Sequence, residues 1–117
     1  DLLPRWFSAD SSRVTSALTD GDFRFAYYLA AIRNKIGSRW VPPSEVDARG
    51  RAVKTVLYFR VQRDGKITQV SVESSSGYAF FDQTAMRALL AAAPLPPLPA
   101  GYTDTYLGVH FGFEFQQ

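Results

Sequence analysis

The amino-acid sequence predicts an α+β fold, with a small three-stranded antiparallel sheet in the spatial order 2-1-3 and two main helices packed on one of its faces. Three observations carry this. Asp64-Gly65 separates two runs of alternating apolar residues, residues 22 to 39 and 80 to 92 repeat apolar residues at helical spacing, and the C-terminal stretch "DTYLGVHFGFEFQQ" alternates at period two.

Composition bounds the function classes. A chain of 117 residues with 46% hydrophobic residues has the apolar mass for one core and hence one domain. Its 13 basic and 11 acidic residues are scattered rather than clustered, which argues against a nucleic-acid partner. With no cysteine, a disulfide framework, a thiol nucleophile and a thiolate metal site are excluded. No apolar run approaches the roughly 20 residues that span a bilayer, and no signal segment opens the chain. Because it begins at "DLLPRW" without a methionine, we expect a piece of a longer protein whose targeting or membrane part lies elsewhere.

Residues 1 to 20 read as an N-terminal segment or linker end holding a possible short helix to about Leu18, capped at Asp10 or Ser11, with Trp6 and Phe7 ahead of it. Residues 21 to 117 form the domain. Apolar residues at Phe25, Tyr28 or Leu29, Ile32, Ile36 and then Trp40 make the stripe of an amphipathic helix. Asp20 or Asp22 caps it, Pro42 and Pro43 stop it, and Arg24, Arg33 and Lys35 mark its solvated face.

The hairpin follows. As a two-residue type I′ loop, Asp64-Gly65 supplies the residues that tolerate positive φ. Counting outward puts Arg63 opposite Lys66, Val61 opposite Thr68, Phe59 opposite Val70 and Leu57 opposite Val72, with Tyr58, Arg60, Gln69, Ser71 and Glu73 on the other face. Ser75 or Ser76 with Gly77 ends the second strand, because serine side chains bond nearby backbone and glycine supplies the unusual φ. Tyr78 and Phe81 anchor the second helix, whose stripe is Phe81, Ala85, Leu89 and Ala92, with Asp82 in the first turn where its charge suits the helix dipole.

"PLPPLP", residues 94 to 99, ends that helix and reads as a stiff extended connector returning along the sheet; a ligand for an SH3-like partner is the other reading. In the third strand Leu107, Val109, Phe111, Phe113 and Phe115 point one way and Tyr106, Gly108, His110, Gly112 and Glu114 the other. Gly108 and Gly112 let another backbone come close. The third strand lies beside the first, which leaves the second and third strands as edges.

A serine nucleophile needs a base within reach and a group to orient that base. His110 is the only histidine, the sequence places no acid to orient it, and "SSSG" lacks the nucleophile-elbow pattern. A small hydrolase using Ser75 or Ser76 is therefore the enzymatic alternative, not the main reading. No pair among His110, Asp82, Glu73, Asp104 and Glu114 has metal-ligand spacing, so no metal and no cofactor are expected.

The hairpin "VQRDGKITQVSVESSSG", then "FFDQTAMRAL", a proline cluster and an alternating C-terminal strand resemble the C-terminal periplasmic domain of the TonB and TolA energy-transducer families. The resemblance rests on the Asp-Gly-x-Ile turn, the Ser-Ser-Gly and the Phe-Asp-x-x-Ala, over residues 51 to 116. The helix ending in "SRWVPP" is similar to TolA-type domains, and "PLPPLP" is more TonB-like.

The resemblance implies a non-enzymatic periplasmic adaptor that couples a proton-driven inner-membrane motor, reached through the missing N-terminal part, to the outer membrane. The implied partner is the N-terminal segment of an outer-membrane transporter or, for a TolA-like domain, proteins of the Tol outer-membrane integrity system. A structural envelope module that binds peptidoglycan or a protein without transmitting force is a third reading. Partner binding is expected by strand addition along the third strand at Thr105, Tyr106, Leu107, Gly108, Val109, His110, Phe111, Gly112 and Phe113, an edge with no proline and no lysine to protect it. The segment around Trp6 and Phe7, or a second copy in a homodimer, would cover that edge instead. Residues 68 to 74 of the second strand are the fallback edge.

Overall fold

Tyr28, Ile32 and Ile36 recur every four residues, and that spacing makes Ala26–Arg39 (α1) a helix with one buried face. The computed structural model describes residues 13–19, 25–41 and 52–116. Besides α1 these form Arg13–Thr19 (β1), Ala52–Gln62 (β2), Ile67–Ser74 (β3), Ala79–Ala92 (α2) and Tyr106–Gln116 (β4). The expected caps of α1, Asp20 and Asp22, lie outside the described residues, as do Pro42, Pro43, Trp6 and Phe7. The helix starts after Phe25 and ends as Trp40 turns extended, its N–H donating to the Gly37 carbonyl at 3.2 Å.

The sheet order is β1-β4-β2-β3. The three predicted strands thus take the predicted order, with β2 in the middle, both its pairings antiparallel. A fourth strand extends the sheet. Residues 13–19, expected to be helical, form β1 and pair antiparallel with β4. The β-branched residues Val14, Thr15 and Thr19 give up helix propensity there, and the outer edge of β4 offers a row of backbone partners.

The hairpin keeps the predicted register at Leu57–Val72 and Tyr58–Ser71, then slips by one to Arg60–Thr68 and Val61–Ile67. Gln69 is the cause. It takes φ 55° and inserts an extra residue, so Ile67 instead of Thr68 packs on the core side. The loop is not the expected two-residue turn: only Gly65 among its residues has positive φ, 93°, and its N–H donates to the Gln62 carbonyl at 2.9 Å. Residues 63–65 form a three-residue loop closed by a left-handed glycine. Asp64 instead accepts the Lys66 N–H at 3.0 Å, which holds the turn without a positive φ of its own.

Both helices pack on one sheet face. Phe59, Phe81, Phe111 and Phe113 are fully buried between the layers with Ile32, Ile36, Leu57 and Leu89. Removing each such aliphatic side chain from water contributes about 1.5–3 kcal/mol. Trp40 closes one end, meeting Phe113 at 5.2 Å and Phe81 at 5.9 Å edge-on, while its indole N–H donates to Thr84 at 3.2 Å.

The proline-rich connector is a strap over the hairpin loop. Leu95 and Leu98 are buried, the Leu95 N–H donates to the Gly65 carbonyl at 2.9 Å, and the Leu98 N–H to the Arg63 carbonyl at 3.1 Å. From the helix side, the Tyr28 hydroxyl donates to the Pro96 carbonyl at 2.6 Å, and burial pushes that hydroxyl up to about 12. With its leucines in the core, this segment is not displayed as a free ligand.

Candidate partner-binding edge

The backbone of β4 has two sides, and β2 takes one of them without a break from Tyr106 to Gln116. The other side was expected to be open. In the structure β1 takes it, from Thr19 opposite Val109 to Arg13 opposite Glu114, with the ladder interrupted between Val14 and Ser16. The expectation of an uncovered edge is therefore corrected: strand addition at β4 has to use the place of β1. Covering an exposed row of N–H and C=O groups is the usual way such an edge is protected.

The nine residues expected to bind a partner fall into three groups. Leu107, Val109, Phe111 and Phe113 are fully buried on the helix side, so they offer a partner only their backbone. Gly108 and Gly112 stand opposite Arg60 and Val56 and leave the outer face low. Tyr106 and His110 rise from that face, and Thr105 is exposed just before β4 begins.

The outer face carries a polar aromatic row that sequence reasoning did not assemble. The Arg60 guanidinium lies 4.4 Å from the Tyr106 ring centre, Arg60 Nε donates to the Tyr58 hydroxyl at 3.2 Å, and Tyr58 packs against His110 at 4.9 Å. His110 Nδ1 is hydrogen bonded to Glu73 of β3, across the central strand. Alternation alone puts Tyr58, Arg60 and Glu73 outward; their meeting with His110 depends on β4 lying beside β2. The Tyr102 hydroxyl donates to the Tyr106 carbonyl at 2.9 Å, fixing the start of β4. Burial, then the charge of Asp104, raises the Tyr102 hydroxyl above its ordinary value.

The serine cluster has a structural occupation. The Ser75 hydroxyl donates to Asp82 at 2.5 Å, the Ser76 hydroxyl at 2.7 Å and the Ser76 N–H at 3.0 Å, tying the end of β3 to the first turn of α2. Burial raises the Asp82 carboxyl, but the bonds from Ser75, Ser76 and Thr55 outweigh it and hold the group below its usual range. His110 bonds Glu73, and the serines bond Asp82. Among the described residues no group of three or more His, Cys, Asp or Glu side chains is arranged to hold a metal.

Of the two strands expected at the edges, β3 is the one still there, and among the described residues it pairs only with β2. Its row of backbone groups is broken by the left-handed Gln69, and a bulge of that kind disfavours regular pairing with another strand.

No curated protein matches the chain. Among solved structures, the solution NMR structure of TolAIII bound to a peptide derived from the N-terminus of TolB is similar, with a TM-score of 0.60 and 22% identity over 83% of this chain and 77% of that one. That likeness shows the fold. Residues 25–115 match the family described as TonB C terminal, a span that holds both helices and β2, β3 and nearly all of β4. With the helix-hairpin-helix-strand order and the sheet already in place, this chain belongs to the TonB C-terminal domain family.

Proposed function

We propose that this domain is a non-enzymatic, periplasmic protein-binding module of a TonB-like energy transducer, and that it takes an extended segment of its partner as a strand along β4, at residues 105–113. The observation that supports the reading is that β4 already accepts an antiparallel strand on this side, supplied by β1. Backbone groups give such an edge its affinity, and the outer row of Tyr106, Arg60, Tyr58 and His110 gives it side chains with which to select. The partner class is the periplasmic N-terminal segment of an outer-membrane transporter. A Tol-system protein is the second reading, favoured by the TolB-derived peptide bound to the similar TolAIII.

The test is a titration of the isotope-labelled domain with two synthetic peptides, one from the N-terminal segment of a transporter of the same organism and one from that of its TolB-type protein. Amide shifts centred on residues 105–113 with either peptide support the reading and choose the branch. Shifts confined to residues 68–74 place docking on β3, and saturation by both peptides without shifts at β4 refutes strand addition there.

A further inference from the structure

Resting on the strand-addition reading, we propose that β1 is a built-in competitor that occupies the partner edge of β4 and sets how tightly a partner strand binds. A strand has one row of backbone groups per side, so β1 and a partner strand cannot pair with the same side of β4 together.

Two observations make β1 the displaceable member. Among the described residues its ladder covers 109–114 and is broken between Val14 and Ser16, whereas β2 pairs with β4 unbroken from Tyr106 to Gln116. The family match begins at residue 25, after β1, so the edge that β1 covers is the outer edge of the family's own sheet.

The consequence is quantitative. Apparent affinity falls by the fraction of time the edge is free, so releasing β1 raises the affinity of any strand for β4 by the reciprocal of that fraction. Two full-length variants move β1 in opposite directions. Ala17→Pro with Leu18→Pro removes two consecutive N–H groups, one of which must belong to the β1–β4 ladder. Arg13→Cys with Glu114→Cys joins an opposed pair in a chain without native cysteine, and the spacing of opposed residues suits a disulfide.

The probe is a synthetic peptide of residues 11–20, followed by amide shifts at 107–113. The proline variant is expected to bind it at least about tenfold more tightly than the parent, the oxidised cysteine variant not to bind it, and the reduced form to regain binding. Equal affinities for parent and proline variant, or equal affinities for the oxidised and reduced forms, overturn the competition. So does a peptide that binds none of the proteins. If the proline variant does not fold, the oxidised and reduced forms decide alone. The transporter and TolB-type peptides separate the two claims: β4-centred binding of equal affinity to the parent and the proline variant overturns competition and leaves strand addition standing. Binding to none, while the 11–20 peptide behaves as expected, overturns strand addition by those partners alone.

Discussion

Two left-handed glycines give a matched pair of substitutions. Gly65 (φ 93°) and Gly77 (φ 90°) have nearly the same positive φ, so replacing either by alanine costs about 1–2 kcal/mol for a side chain in that region. Their surroundings differ. A Cβ at Gly77 meets nothing within 4 Å, whereas at Gly65 it would stand 1.9 Å from the Leu95 carbonyl oxygen and 2.9 Å from its carbon. The strap must move by more than an ångström or so to relieve that contact, and its two bonds to the loop, Leu95 to Gly65 and Leu98 to Arg63, are lost or weakened. At about 0.5–1.5 kcal/mol for each bond, Gly65→Ala should cost about 2–5 kcal/mol in total, against about 1–2 for Gly77→Ala. Denaturant melts of the two variants and the parent measure the difference as a shift in midpoint at constant slope. Equal losses would show that the strap does not press on the loop.

Further expectations follow from the core and the serine staple. Ile36→Ala, at a fully buried position, should cost about 2–5 kcal/mol, while Tyr27→Ala on the exposed face of the same helix should stay within about 0.5 kcal/mol, both read from the same melts. Asp82 is held below its unfolded value, so its contribution is present above the unfolded pKa of about 3.9 and is lost as the pH falls below it. A plot of Tm against pH should therefore fall on the acid side for the parent and fall less for Asp82→Asn; parallel acid limbs would remove Asp82 from the explanation.

Much of the fold was legible because the helical and strand periods of the sequence coincide with α1, α2, β2, β3 and β4. The stripes of both helices and the alternation of β4 reflect burial directly, and burial is what the sequence encodes most strongly. The misses have physical causes. Residues 13–19 carry a pattern weak enough for either state, and their pairing with β4 is a long-range contact that no local spacing reveals. The slip at Gln69 was hidden because a polar residue in a strand gives no sign of a left-handed backbone. At the candidate site, alternation placed each side chain on its face, but the Glu73–His110 bond and the Arg60–Tyr106 contact join residues far apart in the chain. The covering of the β4 edge could be weighed as an option but not read.

Whether residues 105–113 take a partner strand by backbone pairing is tested most directly by isotope-filtered NOEs between an unlabelled partner peptide and the labelled domain. The expected result is a ladder of contacts from the peptide's backbone protons to alternate residues of β4 between 107 and 113, with the contacts of residues 13–19 to the same strand lost. Contacts confined to side chains of the outer face, such as Tyr58 and His110, or to the edge of β3 at residues 68–74, with the β1–β4 ladder intact, would contradict it.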